Sequence, residues 1–137
     1  MNRHVGIDYG RKRLGIATGD ALGLSVQGWP TVVASGFKDA VRQVASFIAD
    51  QEVTEIVIGL PLNMDGSRGE MAEEVERFAS ALSMATKLET VLWDERLTST
   101  QAKRLLAKRG NSRKTGDIDR VAAVLMLESY LRSLSTT

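Results

Sequence analysis

The chain has 137 residues, a length suited to one domain, with 43% apolar and 26% charged residues, both ordinary for a globular protein. It contains no cysteine and one histidine, His4, which excludes disulfide frameworks, thiolate chemistry and Cys-rich metal sites and leaves little room for His-paired serine catalysis or a multi-His metal site. Any chemistry must therefore run on carboxylates, amines, hydroxyls and backbone, while the net charge of only +1 says little by itself.

Residues 3–8 and 14–19 read as short strands around the turn Tyr9-Gly10-Arg11-Lys12-Arg13, hence a hairpin. Residues 25–34 add a third strand, interrupted at Gly28 and Pro30 and therefore placed at a sheet edge. Val41, Val44, Ala45 and Ile48 recur at helical spacing between residues 38 and 50. The run Ile56-Val57-Ile58-Gly59-Leu60 predicts a parallel strand buried on both faces, followed by the loop Pro61-Leu62-Asn63-Met64-Asp65-Gly66. Ser67 and Glu70 have capping-box spacing and predict a helix to about Ala85. Residues 90–93 form another strand, running directly into Asp94-Glu95. Thr98 and Gln101 predict a further helix to about Arg109, stopped at Gly110. A polar, basic loop over 110–117 leads to a last helix over about 118–134. A hairpin meander followed by βα units implies an α/β domain over 1–137, with a mixed sheet and helices on its faces.

The near-neutral total conceals an uneven distribution of charge. Residues 39–95 carry four basic and twelve acidic side chains, and residues 96–120 carry eight basic and two acidic ones. Such a basic stretch suits a polyanion-facing surface, or simply a solvated helix face. No apolar stretch reaches the roughly 20 residues of a membrane span, and residues 1–20 do not read as a signal peptide. The expected location is cytoplasmic, with no membrane partner.

Three acids stand out by placement. Asp8 ends the first strand, Glu95 (beside Asp94) ends the last, and Asp119 falls in the first turn of the final helix. Open α/β sheets bind ligands outside the carboxyl ends of their strands. Three carboxylates gathered there are hard oxygen ligands suited to Mg²⁺ or Mn²⁺, and a pair of such ions about 4 Å apart would serve phosphodiester hydrolysis. Each acid also has a structural role available: turn initiation for Asp8, a strand-end surface for Asp94 and Glu95, an N-cap for Asp117 and a helix-dipole partner for Asp119. Ala122, Ala123 and Met126 share Asp119's helical face, and Gly6 shares Asp8's strand face, so helix and sheet can approach closely.

Four segments together resemble the YqgF/RuvX family. They are Val5-Gly-Ile-Asp-Tyr-Gly-Arg-Lys-Arg-Leu-Gly-Ile-Ala17, Val57-Ile-Gly-Leu-Pro-Leu-Asn-Met-Asp-Gly66, Trp93-Asp-Glu-Arg-Leu-Thr-Ser99 and Asp119-Arg-Val-Ala-Ala-Val-Leu-Met-Leu-Glu128. They stand in the family's order and span essentially the whole chain. The resemblance implies a ribonuclease-H-like fold related to the RuvC resolvases, here a mixed five-stranded sheet with helices on both faces. It also implies a cytoplasmic nuclease, assigned to 5′-end maturation of precursor 16S rRNA and, in some members, to cleavage of branched DNA. Asp8, Glu95 and Asp119 would be its catalytic acids and would hold Mg²⁺ or Mn²⁺, with two ions expected. The related resolvases have two acids in the final helix region, whereas here only Asp119 holds the family position, with Asp117 two residues before it and Asp94 available as an outer helper.

Phosphate contacts are expected from Arg11, Lys12 and Arg13 at the hairpin tip and from Lys108, Arg109, Arg113 and Lys114 around the polar loop. Arg96 could hold a phosphate or pair with Asp94, and Asn63 could clamp substrate from its loop. Trp29 and Trp93 are expected in the core rather than as stacking platforms, and His4 is expected to be structural. The partner is then structured RNA or branched DNA, and the protein a monomer or a homodimer. Two other readings remain. One is a non-catalytic RNA-binding ribosome-assembly factor. The other is a dimeric actin-like ATP-binding protein, because Asp-x-Gly-x-x-x-x-Gly-x-Ala also resembles the first phosphate hairpin of those ATPases.

Overall fold

Short β-branched segments close one sheet in the computed structural model, which describes residues 2–20, 25–97 and 115–135. The strands are β1 (Arg3–Asp8), β2 (Arg13–Asp20), β3 (Val26–Val33), β4 (Glu55–Leu60) and β5 (Thr90–Asp94), in the order β3-β2-β1-β4-β5. The first three form an antiparallel meander, and β1-β4 and β4-β5 are parallel. β3 lies at an edge, as expected, but it is continuous. Gly28 pairs with Ala17, and the irregularity falls between Trp29 and Val32, where the register shifts around Pro30.

Side-chain alternation gives the sheet two different faces. Val5, Ile7, Leu14, Ile16, Ile56 and Ile58 point to one side and are fully buried under α1 (Phe37–Asp50) and α2 (Glu70–Thr86). Phe78 of α2 anchors this layer, with its ring 4.6 Å from Tyr9 and 6.1 Å from Phe37. Trp29 packs against it, partly buried, its indole nitrogen donating to Thr18 Oγ1 at 2.8 Å. Among the described residues, the opposite face is covered by α3 (Thr115–Ser135), through Ala123, Met126, Leu127 and Leu131 packed on Ala17 and Val57. Trp93 completes this smaller layer edge-on to Tyr130, and donates to Ser129 Oγ at 3.3 Å. No helix among the described residues is long and apolar enough to cross a membrane.

Three details of the helix starts differ from the sequence pattern. Ser67 does not cap α2, which begins after Gly69 with no side-chain cap. Its amide and hydroxyl donate instead to Asp65 Oδ1 at 2.9 and 2.6 Å, because an Asp two residues back competes for the Ser at shorter loop distance. α3 begins at Thr115, so Asp119 sits one turn inside the helix rather than in its first turn, and Asp117 is a helical residue rather than a cap. The helix expected over 98–109 and residues 110–114 of the basic loop beyond it, hence Lys108, Arg109, Arg113 and Lys114, lie outside the described residues, while residues 115–117, expected in that loop, are helical.

Candidate active site

Parity decides where the acids point. Ile7 faces α2, so Asp8, the next residue, faces α3, as does Gly6. On β5, Leu92 belongs to the α2 layer and Trp93 to the α3 layer. Continuing the alternation sends Asp94 toward the α2 side and Glu95 toward the α3 side. Glu95 opens a single 3-10 turn, Glu95–Leu97, directly after the strand. Asp8, Glu95 and Asp119 therefore belong to one face at one end of the sheet, and all three are half-buried.

Glycines set how close they come. Asp8 pairs with Gly15 of β2, and the β1-β4 register, continued one residue past Ile7↔Ile58, sets Gly59 on its other side. A Cβ on Gly15 would stand 2.0 Å from the Asp119 carbonyl oxygen and 3.1 Å from its Cβ. A Cβ on Gly59 would stand 2.6 Å from Glu95 Cγ and 2.9 Å from Oε2. Asp8 is thus flanked by two bare backbone positions, one occupied from above by Asp119 and the other by Glu95. Gly6 performs the same service deeper in, where a Cβ would stand 2.8 Å from Leu127 Cβ. The close approach of helix and sheet at Gly6, where the Ala123 carbonyl oxygen would stand 3.4 Å from a Cβ, follows the sequence expectation. Gly15 and Gly59 lie within quoted segments, but sequence reasoning assigned neither a role of its own, and they are the functional positions it passed over. Among the described residues, no three Asp, Glu or His side chains already stand close enough to hold a metal ion between them.

The neighbouring charges are heavily engaged. Asp94 Oδ1 accepts from the Arg96 amide at 2.9 Å and from Nε at 3.1 Å, while Oδ2 accepts from Nε at 3.1 Å and Nη2 at 2.8 Å. These bonds from the guanidinium hold the Asp94 carboxyl below its usual range. Arg96 Nη1 reaches across to donate to the Met64 carbonyl at 3.2 Å. Asn63 is exposed and internal to its loop, its amide nitrogen donating to Ser67 Oγ at 3.0 Å. At the hairpin tip, Arg11 Nε donates to Glu74 Oε1 at 2.9 Å and Tyr9 Oη donates to Oε2 at 2.7 Å, which ties the turn after Asp8 to α2. The Tyr9 bond in particular lowers the Glu74 carboxyl, and burial together with Glu74 raises the Tyr9 phenol. Lys12 and Arg13 project from the same turn and are exposed. His4 is buried beside Glu55, four residues from Asp8 along β1. Exposed Arg120 lies over β3, where a Cβ on Gly28 would stand 2.7 Å from its Cγ.

Comparison with known proteins identifies the family and the fold. The sequence model of the RuvX family, described as "Holliday junction resolvase", matches residues 2–133. A protein of Syntrophus aciditrophicus described as "Putative pre-16S rRNA nuclease" is 41% identical over 135 residues, covering 97% of this chain and 90% of its own length. One from Halalkalibacterium halodurans with the same description is 46% identical over 133 residues, covering 94% and 95%. Thermus thermophilus RuvC, solved in complex with a Holliday junction substrate, superposes with a TM-score of 0.61 over 98% of both chains at 15% identity. The sheet order, the two covered faces and this superposition are those of the ribonuclease-H-like fold, and the chain belongs to the RuvX family.

Proposed function

We propose that this protein is a divalent-metal-dependent endonuclease acting on structured nucleic acid, either at the 5′ end of precursor 16S rRNA or at branched DNA. One observation carries the reading. Asp8, Glu95 and Asp119 come from three separate elements to one end and one face of the sheet, with glycine beneath two of them. Carboxylates brought to one edge gain nothing for bare binding of a polyanion, because they repel it; they suit a site that a cation completes.

The donor set fits Mg²⁺ or Mn²⁺. Mg²⁺ is commonly held by one or two carboxylates, with water and substrate phosphate filling the remaining positions. Asp8, Glu95 and Asp119 would supply those oxygens, and a bound ion would activate the attacking water and stabilise the leaving oxygen. The chain's own part is positional. Asp8 is fixed by the sheet between β2 and β4, Asp119 is carried on a helix seated on Gly15, and Glu95 lies over Gly59. Lys12 and Arg13 would contact the phosphate backbone and so set affinity and salt dependence rather than sequence choice. A symmetric cut in a four-way junction requires two such sites and hence a homodimer, whereas one cut in a precursor RNA requires only a monomer. The activity belongs in the cytoplasm.

A cleavage panel tests this reading. Precursor 16S RNA, a four-way junction, linear duplex and single strands are incubated with Mg²⁺ and with Mn²⁺, with Asp8→Asn protein alongside. Cleavage of one structured substrate that requires metal and disappears in Asp8→Asn is the expected result. Undiminished cleavage by Asp8→Asn would sink the assignment of the acids, and substrate binding with no cleavage under any metal would replace the nuclease with an RNA-binding assembly factor.

A further inference from the structure

The guanidinium next to Glu95 points away from the substrate role its charge suggests. Its Nε/Nη2 edge, the fork that would grip a phosphate in two places, is occupied by both oxygens of Asp94. The Arg96 amide also donates to Asp94 Oδ1, so the carboxylate bridges backbone and side chain of one residue across Glu95. The remaining arm ends on the Met64 carbonyl, in the loop after β4, 3.6 Å from where a Cβ on Gly66 would stand. Gly66 holds a positive φ of 86°, which lets the loop turn there without strain. Glu95 is thus the middle residue of a clamp, with its two neighbours bonded to each other and the pair bonded to the adjacent loop.

We propose that Arg96 and Asp94 form a positioning pair that fixes the backbone carrying Glu95 over Gly59, and that Arg96 is not a phosphate contact. The proposal rests on the reading of Glu95 as a catalytic carboxylate. A pair that only orients a ligand-bearing residue affects the catalytic step and leaves ground-state binding alone, whereas a phosphate contact affects binding and its salt dependence. The partners also separate the two roles. Removing the Asp94 charge releases Arg96, which would strengthen a phosphate contact but abolish a clamp.

The test compares Arg96→Ala, Arg96→Lys and Asp94→Asn on the panel substrate that the wild type cuts, with kcat and KM in Mg²⁺ and with substrate binding in Ca²⁺ across a salt series. Expected is a kcat lowered about 10- to 100-fold in Arg96→Ala and in Asp94→Asn. KM should stay within about twofold, the salt slope should be unchanged, and the double variant should be no worse than either single one. Arg96→Lys keeps the charge but lacks the fork, so it should resemble Arg96→Ala. Thermal unfolding checks that each variant is folded. A raised KM with a shallower salt slope in Arg96→Ala, combined with undiminished cleavage by Asp94→Asn, overturns the proposal, as does unchanged kcat in both. Calorimetric titration with Mn²⁺ alone separates this inference from the nuclease reading. If the wild type cuts nothing, Mn²⁺ bound about 10- to 100-fold more weakly by Arg96→Ala supports the clamp by itself, and equal binding overturns it.

Discussion

Gly15 and Asp119 meet at a distance that only glycine permits: a Cβ at position 15 would fall 2.0 Å from the Asp119 carbonyl oxygen and 2.5 Å from its carbon. The obstructing atoms are helix backbone, which cannot rotate away. Gly15→Ala should therefore lift the start of α3 from the sheet and destabilise the protein by about 1–3 kcal/mol, the usual cost of overpacking. Urea unfolding measures the loss, and cleavage should fall further than the unfolded fraction explains. Wild-type stability in this variant would show that the helix does not depend on the bare strand.

Gly59 presents the opposite case. The atoms a new Cβ would meet are Glu95 Cγ at 2.6 Å and Oε2 at 2.9 Å, the far end of a side chain that can swing aside. Gly59→Ala should leave the free energy of unfolding within about 1 kcal/mol of the wild type and still remove most cleavage. A variant with full activity would disconnect Glu95 from the chemistry.

Glu74 predicts a pH signature. Its folded carboxyl titrates below its ordinary value of 4.5, chiefly through the Tyr9 hydrogen bond and then the Arg11 bonds. Stability from a depressed carboxyl is fully present above the unfolded value and is lost as pH falls through the folded one. Glu74→Gln and Tyr9→Phe should each cost about 1 kcal/mol near neutrality, since Glu74 is half-buried and Arg11 largely exposed. The stability gap between wild type and Glu74→Gln should narrow as pH is lowered from about 5 toward 3. A gap that widens on acidification would contradict the assignment.

Lys12 and Arg13 predict a salt signature. Each phosphate contact contributes about one unit to the slope of log affinity against log salt on duplex DNA, and rather less on single strands. Lys12→Ala and Arg13→Ala should each flatten that slope by about this amount, with kcat at saturating substrate unchanged. Arg11→Ala should change the slope less, because Glu74 and Glu70 already engage its guanidinium. Equal slopes in all four proteins would remove the hairpin tip from the interface.

Phe78 tests the far side of the sheet. It is fully buried between Tyr9 and Phe37, and Phe78→Ala should cost about 3–5 kcal/mol. Whatever fraction stays folded should cut with the wild-type kcat, which active-site titration can establish.

Much of this was readable from residue order. The β-branched run at 56–60 and the alternation at 3–8 and 14–19 specify strands through burial on both faces, and the structure extends each by a residue or less at either end. Asp8 and Glu95 were legible because a strand's carboxyl end is marked by where its apolar run stops. Capping was less legible. Ser67 has the spacing of a cap but is taken by Asp65, a competition between two local hydrogen bonds that spacing cannot rank. The roles of Gly15 and Gly59 were hidden for another reason: each is defined by a residue more than thirty positions away, and only the assembled register brings the pairs together. Arg96 showed its charge in the sequence but not its partners, since its reach to Met64 depends on β4 and β5 lying side by side.

The alternation that sends Asp94 and Glu95 to opposite sides has a consequence for how this fold can change. The α1/α2 layer, with Phe78 and Leu82 among its many buried residues, is the larger of the two, while the smaller α3 layer places glycines of the sheet directly under the helix and under Glu95. Mutations can accumulate in the first layer, and stabilising ones can be engineered there, without moving an acid. A single inserted or deleted residue next to Trp93 would instead exchange the tasks of Asp94 and Glu95, placing the clamp where the chemistry belongs. The protein should therefore tolerate volume-conserving substitution in the α1/α2 layer far better than any length change in β5.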